Sequence, residues 1–562
     1  MVRTILSRIS APVRGLHEAA YVLATLALLS QGLALVRDRL LAASFGASGT
    51  LDIYYAAFRI PDFLFATIAS LFSLYALMPV LSRLEEEHPD RMISFLRQTL
   101  LIFFAGLGIV AGIAFVFAPL ALTLILPGFV PGTESYAQLL LLTRILLLQP
   151  ILLGASNILA NLTQLRHRFL LYAVSPLLYN LGIIFGILFL YPLFGIMGLA
   201  GGVVAGAVMH FLVQLPYFMR EKVRESIRVR ETFLHLRAVL VLSIPRTLAL
   251  ASTQVSLLVL TALASFLAAG SISIFMFAYN LQAVPIAIIG VSYSVAAFPT
   301  LSRLYARGEN SKLVEHVETA LRHLLFWSIP ATVLVVVLRA QLVRVILGAG
   351  AFDWSATRLT AAALALFVVS LAAQNITLLI ARTYYAAGNS KKPLLYGIVD
   401  VVVSVGSALA LLTVFESSPE IRFFVEALLR VDSVAGTTIL MLALGYALGS
   451  IAKAVVGYFF FVRDFHIPQA RIVRLTLQSF GASVVGGAAA YLALVLTSHV
   501  MTPNTLIGVF GEGLIAGMAG LAVTIVVLLA LRNIEILETY HAFRSRVSRS
   551  PAVAVELTDI ES

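Results

Sequence analysis

Of 562 residues, 60% are hydrophobic and only 12% charged, and the mean hydropathy is +0.97. That balance excludes a water-soluble fold and reads as an all-α polytopic membrane protein. The net charge of +11 would point to nucleic acid in a soluble protein, but here it is spread over alternate loops between apolar runs, so nucleic acid is not an expected partner. Without cysteine there is no disulfide framework, thiolate metal site or cysteine nucleophile.

Residues 1–17, with Arg3, Arg8 and Arg14, read as a basic amphipathic segment on a membrane surface. A signal peptide is rejected, because the apolar run that follows is too long for an h-region and carries charges. Runs of about 20 apolar residues, the length that crosses a hydrocarbon core, then recur along the chain. They predict about 14 spans near 18–44, 53–80, 94–126, 136–160, 169–190, 194–218, 237–266, 272–300, 322–345, 357–386, 393–414, 437–462, 472–497 and 509–531. Basic residues fill every second loop: Arg83 and Arg91, Arg166 and Arg168, Arg220 to Arg237, Arg303 to Lys312, Lys391 and Lys392, Arg463 to Arg474. The opposite loops hold Arg422 and Arg430, with Arg339, Arg344 and Arg358 near one rim. The positive-inside rule predicts that both termini are cytoplasmic, which requires an even number of spans.

Charges interrupt the first two spans: Arg37, Asp38 and Arg39, then Asp52, Arg59 and Asp62. Each charge near the bilayer centre costs roughly 2.5–3.5 kcal/mol on insertion scales, so such residues face a watery cavity or a partner. Snorkelling to headgroups is the alternative for the arginines; the accompanying acids favour a cavity. Arg246, beside Pro245 near the start of span seven, is expected to meet an anion across from Arg37 and Arg59. Guanidinium suits that task because it stays charged when desolvated and forks onto phosphate oxygens. Asp400 in span eleven and Asn375 in span ten are candidates for an ion or proton site, with interhelical pairing as the alternative. Gln254, Asn280 and Gln282 read first as interhelical hydrogen-bonders. Pro61, Pro150, Pro176, Pro245 and Pro285 are candidate helix breaks.

An internal repeat organises the chain. Pro79-Val-Leu-Ser-Arg-Leu84 returns as Pro299-Thr-Leu-Ser-Arg-Leu304, six spans later. An even offset keeps both copies in one orientation, so two pseudo-repeated six-helix lobes are expected, with substrate between them. They cover 18–218 and 237–462, joined by the basic linker 219–236. Residues 463–531 add two extra helices, and 532–562 form a cytoplasmic tail. Within the second lobe, 415–436 is an insert with a short interfacial helix.

No enzyme constellation is visible. The histidines lack metal-ligand spacing, and there is neither a phosphate-binding glycine loop nor a nucleophile elbow. The expectation is a transporter with no catalytic residue, metal or cofactor, its coupling cation or proton left open.

Several segments resemble a known family. They are Ser30-Gln-Gly-Leu-Ala-Leu-Val-Arg-Asp38, Phe45-Gly-Ala47, Asp52, Ala57-Phe-Arg-Ile-Pro61, Phe298-Pro-Thr-Leu-Ser-Arg303 and Ala381-Arg-Thr-Tyr-Tyr-Ala-Ala-Gly-Asn389. In order and spacing they are similar to the MurJ/MviN family of lipid II flippases, of the multidrug/oligosaccharidyl-lipid/polysaccharide exporter superfamily. The resemblance covers nearly the whole chain, as a divergent member. It implies alternating-access translocation of a polyprenyl-pyrophosphate-linked peptidoglycan precursor from the cytoplasmic to the outer leaflet of the bacterial inner membrane. It further implies a cationic cavity for the pyrophosphate-sugar headgroup, with membrane lipids and cell-wall synthesis proteins as partners.

Carried over onto this sequence, Arg37 and Asp38 match the family's Arg-Asp pair, and Asp52 its acid at the start of the second span. Gln31, Phe65-Ala66 and Asn280 stand where the family has cations, and Arg59 and Arg246 are the candidates to replace them. An ion site that the resemblance implies keeps Asp400 but finds no acid in span seven. The rival readings are a flippase for another lipid-linked oligosaccharide, a cation-coupled drug antiporter of the same architecture and, further off, a non-transporting wall-assembly scaffold. A membrane glycosyltransferase ranks last, since no acidic pair is placed to hold a metal-diphosphate.

Overall fold

The computed structural model describes residues 16–72, 74–499 and 505–536. Residues 1–15, most of the expected amphipathic segment, and the tail beyond 536 lie outside the described residues. Among the described residues the fold is helical throughout, without strands. Twelve helical stretches are long and apolar enough to cross a membrane. A thirteenth arises if Trp354–Val368 and Leu371–Ala386, bent by 45°, count as one span. Helix Leu16–Phe45, at 30 residues, is not among the twelve, so fourteen spans remain an expectation.

Proline chemistry explains where the expected spans break. A proline ring clashes with the carbonyl four residues earlier and has no N–H to donate. Helix Gly49–Ala57 stops four residues before Pro61, and helix Glu134–Leu146 four residues before Pro150. Each chain resumes after a single residue, as Arg59–Thr67 and Leu148–Leu165. At Pro285 the α-helix passes instead into a π-helical turn, Ile286–Val291. Pro176 and Pro245 were candidate breaks, but both lie inside continuous helices, Phe169–Phe185 and Val229–Ala264.

Three main cores hold the helices together. One, near the basic loops, is built mainly on the first half, with Leu77, Phe95, Phe103 and Phe218, and takes in Leu236 and Val239 of helix Val229–Ala264, which leads into the second. A second, also near basic loops, draws only on the second half, with Leu301, Leu321, Tyr384 and Phe461. The largest is shared: Leu51, Leu142, Phe275, Phe352 and Phe415 pack in one cluster at the rim opposite the basic loops. The halves are therefore welded by a broad shared core at one rim and meet through helix Val229–Ala264 at the other.

Polar contacts reinforce that weld. The Ala351 N–H donates to Ala43 O at 2.9 Å, and Arg39 donates to Val345 O at 2.6 Å. Asp52 accepts from the backbone N–H groups of Gly270 and Ser273, both at 2.7 Å. Two glycines permit the close approach. Gly46 (φ +61°) and Gly270 (φ +92°) adopt left-handed backbone, and a Cβ on either would lie 2.6 Å from the carbonyl oxygen of Ala351 or Ala47 respectively. Beside this rim, helix Pro419–Leu429 lies within the 415–436 stretch. It presents Phe423, Phe424 and Leu428 outward, the pattern of an interfacial helix.

Candidate functional site

Beneath the weld, a cavity of about 190 Å³ lies between the two halves, lined by Arg37, Tyr54, Tyr55, Arg59, Asp62, Gln149 and Tyr179 from the first half and Met276 and Asn280 from the second. The break before Pro61 positions it: the chain turns at Phe58 and lays Arg59 and Asp62 along the wall.

Arg37 grips Asp38 through Nε and Nη2 at 2.9 and 2.8 Å and donates Nη1 to Asn180 Oδ1 at 3.1 Å. The other oxygen of Asp38 accepts from Asn280 Nδ2 at 3.2 Å. One carboxylate thus ties an arginine of the first half to an amide of the second. Arg59 is different. It is 5% exposed, yet its guanidinium makes only a 3.4 Å contact to Tyr55 O and a 3.7 Å contact to the Met276 sulfur. Asp62 shares the cavity wall with Gln149, and Arg59 and Asp62 form no ion pair within 4 Å among the described residues. A buried cation lacking a short charged partner is costly.

Two acids, Asp38 and Asp62, stand with two arginines, Arg37 and Arg59. Of these, Arg37, Arg59 and Asp62 line the cavity, while Asp38 stands behind Arg37. Of the two candidates to replace the cations missing at Gln31, Phe65 and Asn280, Arg59 lines the cavity and Arg246 does not.

Three expected members lie elsewhere. Asp52 sits in the weld, both oxygens occupied in capping helix Ser271–Pro285, and does not line the cavity. Arg246 stacks on the Tyr385 ring, with its guanidinium 5.0 Å from the centroid, and does not join Arg37 and Arg59. Asn375 donates to Ser328 Oγ at 2.8 Å and packs helices rather than lining a site.

Asp400 occupies a second cavity, of about 240 Å³, within the second half. Lys453 lies 3.0 Å from its carboxylate and also donates to Thr253 Oγ1 at 3.3 Å; Ser404 donates to Asp400 from 3.4 Å. Gln374 lines this cavity, where its neighbour Asn375 was expected. Lys453 was missed from the sequence, although a lysine inside an apolar span was signal enough. With that ammonium in place Asp400 is already neutralised, so a mobile cation would have to displace a covalently tethered one. Helix Ser271–Pro285 divides the two cavities, with Tyr279 facing one and Asn280 the other. Among the described residues no cluster of His, Asp and Glu could hold a metal ion.

Comparison with known proteins agrees with this layout. A relative from Burkholderia cenocepacia named lipid II flippase MurJ is 24% identical over 396 residues, covering 69% of this chain and 77% of its own length. One from Thermotoga maritima, named a probable lipid II flippase MurJ, is 27% identical over 457 residues, covering 76% and 91%. Among solved structures, lipid II flippase MurJ in an inward closed conformation superposes with a TM-score of 0.68 at 20% identity, over 91% of this chain and all of that one. An inward-facing multidrug resistance MATE family transporter of the MOP superfamily gives 0.62 at 14% identity, over 80% and 98%. The fold is therefore shared with both groups, and sequence separates them. The family description lipid II flippase MurJ matches residues 41–418, and this chain belongs to that family, whose members are transporters and not enzymes.

Proposed function

We infer that this chain flips a polyprenyl-pyrophosphate-linked saccharide, lipid II, across the bacterial inner membrane by alternating access, with the basic loops and both termini cytoplasmic. The two halves act as lobes, and the headgroup enters between them while the lipid tail stays in the bilayer. The observation that carries this reading is Arg59: a buried guanidinium in the inter-half cavity whose contacts are a carbonyl and a thioether at 3.4 and 3.7 Å. An arriving pyrophosphate supplies the charged, bidentate acceptor it lacks. Arg37 is held by Asp38, which Asn280 bonds from the other half. A headgroup competing for Arg37 would loosen that cross-lobe link, so binding and lobe movement share one set of contacts. The broad weld at the far rim, against a contact through helix Val229–Ala264 near the basic loops, supports a state that loads from the cytoplasm.

The test is native mass spectrometry of the purified protein with lipid II, a capsular lipid-linked oligosaccharide and plain phospholipid, for wild type, Arg37→Ala and Arg59→Gln. Loss of a charge-assisted pair is expected to weaken lipid II binding roughly tenfold or more. Equal binding of the capsular lipid would move the reading to another lipid-linked saccharide. Indifference to all three lipids, or no effect of either variant, would overturn the headgroup assignment.

A further inference from the structure

The positive-inside pattern has exceptions, and they converge. Arg339, Arg358 and Arg430 belong to three separate segments at the rim opposite the basic loops, and all three line a single cavity of about 930 Å³. That is several times the volume of either internal site. It opens between helices Asn310–Val337, Ala470–Ser498 and Leu506–Ala530, with the interfacial helix Pro419–Leu429 along its edge.

The arginines are built in and under-neutralised. Arg430 caps helix Pro419–Leu429 in left-handed backbone (φ +59°), which is uncommon outside glycine, asparagine and aspartate. Its Nη2 donates to the Tyr491 hydroxyl at 3.0 Å. Arg358 wraps the Arg430 carbonyl, through Nε at 3.0 Å and Nη2 at 2.6 Å. Arg339 donates to Val336 O at 2.9 Å and reaches Leu429 O at 3.5 Å, which sets it near Arg430 so that the two like charges repel. Carbonyl and hydroxyl oxygens, not acids, hold these groups. Arg358 has one solvent-facing carboxylate, Asp432, at 3.6 Å. Glu512 lies in the cavity beside Gln341. Among the described residues no carboxylate pairs with Arg339 or Arg430.

Three guanidiniums against one lining acid make an anion site, and the rest of the wall says which anion. Below the arginines run Val333, Val337, Val484 and Ala488, an apolar track along membrane-spanning helices. Trp354 and Tyr491 stand at the mouth, where amphipathic aromatics mark the headgroup level. A free phosphate has no use for such a track.

We propose that this cavity holds a resident anionic phospholipid of the far leaflet, its phosphate on Arg339 and Arg430 and an acyl chain along the apolar track, at a site separate from the inter-half cavity. Positive charge is tolerated at this rim because the lipid neutralises it.

Detergent-purified full-length protein would be delipidated and offered phosphatidylglycerol, phosphatidylcholine or diacylglycerol, and the bound fraction read by native mass spectrometry. One phosphatidylglycerol is expected to survive activation that strips diacylglycerol. Arg339→Gln with Arg430→Gln is expected to lower its retention at least tenfold. Val484→Trp, which obstructs the apolar track and leaves the arginines intact, is expected to do the same and covers the case in which the double variant fails to fold. Arg303→Gln, at the opposite rim, should leave retention unchanged. Equal retention of diacylglycerol, or undiminished phosphatidylglycerol in both the double variant and Val484→Trp, would overturn the proposal. Displacement of the lipid by millimolar inorganic phosphate alone would also overturn it, in favour of a free-anion site.

Discussion

Asp400 and Lys453 form a buried ion pair, with side chains 2% and 16% exposed. Removing one member of a buried pair strands the other charge and costs about 3–5 kcal/mol, whereas removing both is often close to neutral. Lys453→Met is therefore expected to lower the melting temperature sharply, and Lys453→Met with Asp400→Asn to recover much of the loss; thermal unfolding in detergent checks both. If the double variant is no better than the single one, the two side chains are not coupled. Asp52 makes a parallel case in the weld. Asp52→Asn keeps the shape but replaces charged acceptors by one neutral oxygen and a donor facing a backbone N–H. That loses about 1–3 kcal/mol of whatever holds the rim closed. Because the chain has no native cysteine, Ser273→Cys gives a clean reporter at a position that is 0% exposed. Its labelling by an impermeant maleimide is expected to rise several-fold when Asp52→Asn is added, and unchanged labelling would remove Asp52 from the closure.

At the scale of the element, sequence tells depth well and direction poorly. Apolar runs placed nearly every helix, and Pro61 and Pro150 marked real breaks, because a missing N–H and a ring clash are local facts. Whether a residue faces a cavity is not local. Arg246 and Arg37 are both arginines inside spans, yet one stacks on Tyr385 and the other meets Asp38 and Asn180, a difference set by helix rotation. The partner of Asp400 lies 53 positions away and was visible only as an isolated lysine. Asp52 was legible as important but not as a cap, since the helix it caps begins more than 200 residues later. The same non-locality predicts a strong effect from a small change. Gly270→Ala must hold a left-handed φ, which costs an alanine about 1–2 kcal/mol, and must push its Cβ off Ala47 O. A lowered melting temperature together with greater labelling of Ser273→Cys is expected; a neutral substitution would mean that the loop relaxes freely.

For the whole molecule, the distribution of cores sets the direction of movement. Near the basic loops the halves meet through helix Val229–Ala264, while the shared core and its polar clasp must part for the opposite face to open. An alternating-access cycle therefore has its opening step in the seam around Gly46, Asp52 and Gly270, remote from the charges that read the headgroup. A covalent clasp at that seam tests this. A Cβ built on Gly49 lies 3.8 Å from the Ala269 Cβ, the usual separation across a disulfide, and neither residue touches the inter-half cavity. Gly49→Cys with Ala269→Cys in this cysteine-free chain is expected to oxidise readily. The locked protein should still bind lipid II from the basic-loop side in native mass spectrometry, should fail to deliver it to the far leaflet of reconstituted vesicles, and should recover on reduction. Full translocation by the oxidised form would show that the far rim does not open at this seam, and the path of the headgroup would then have to be sought elsewhere in the fold.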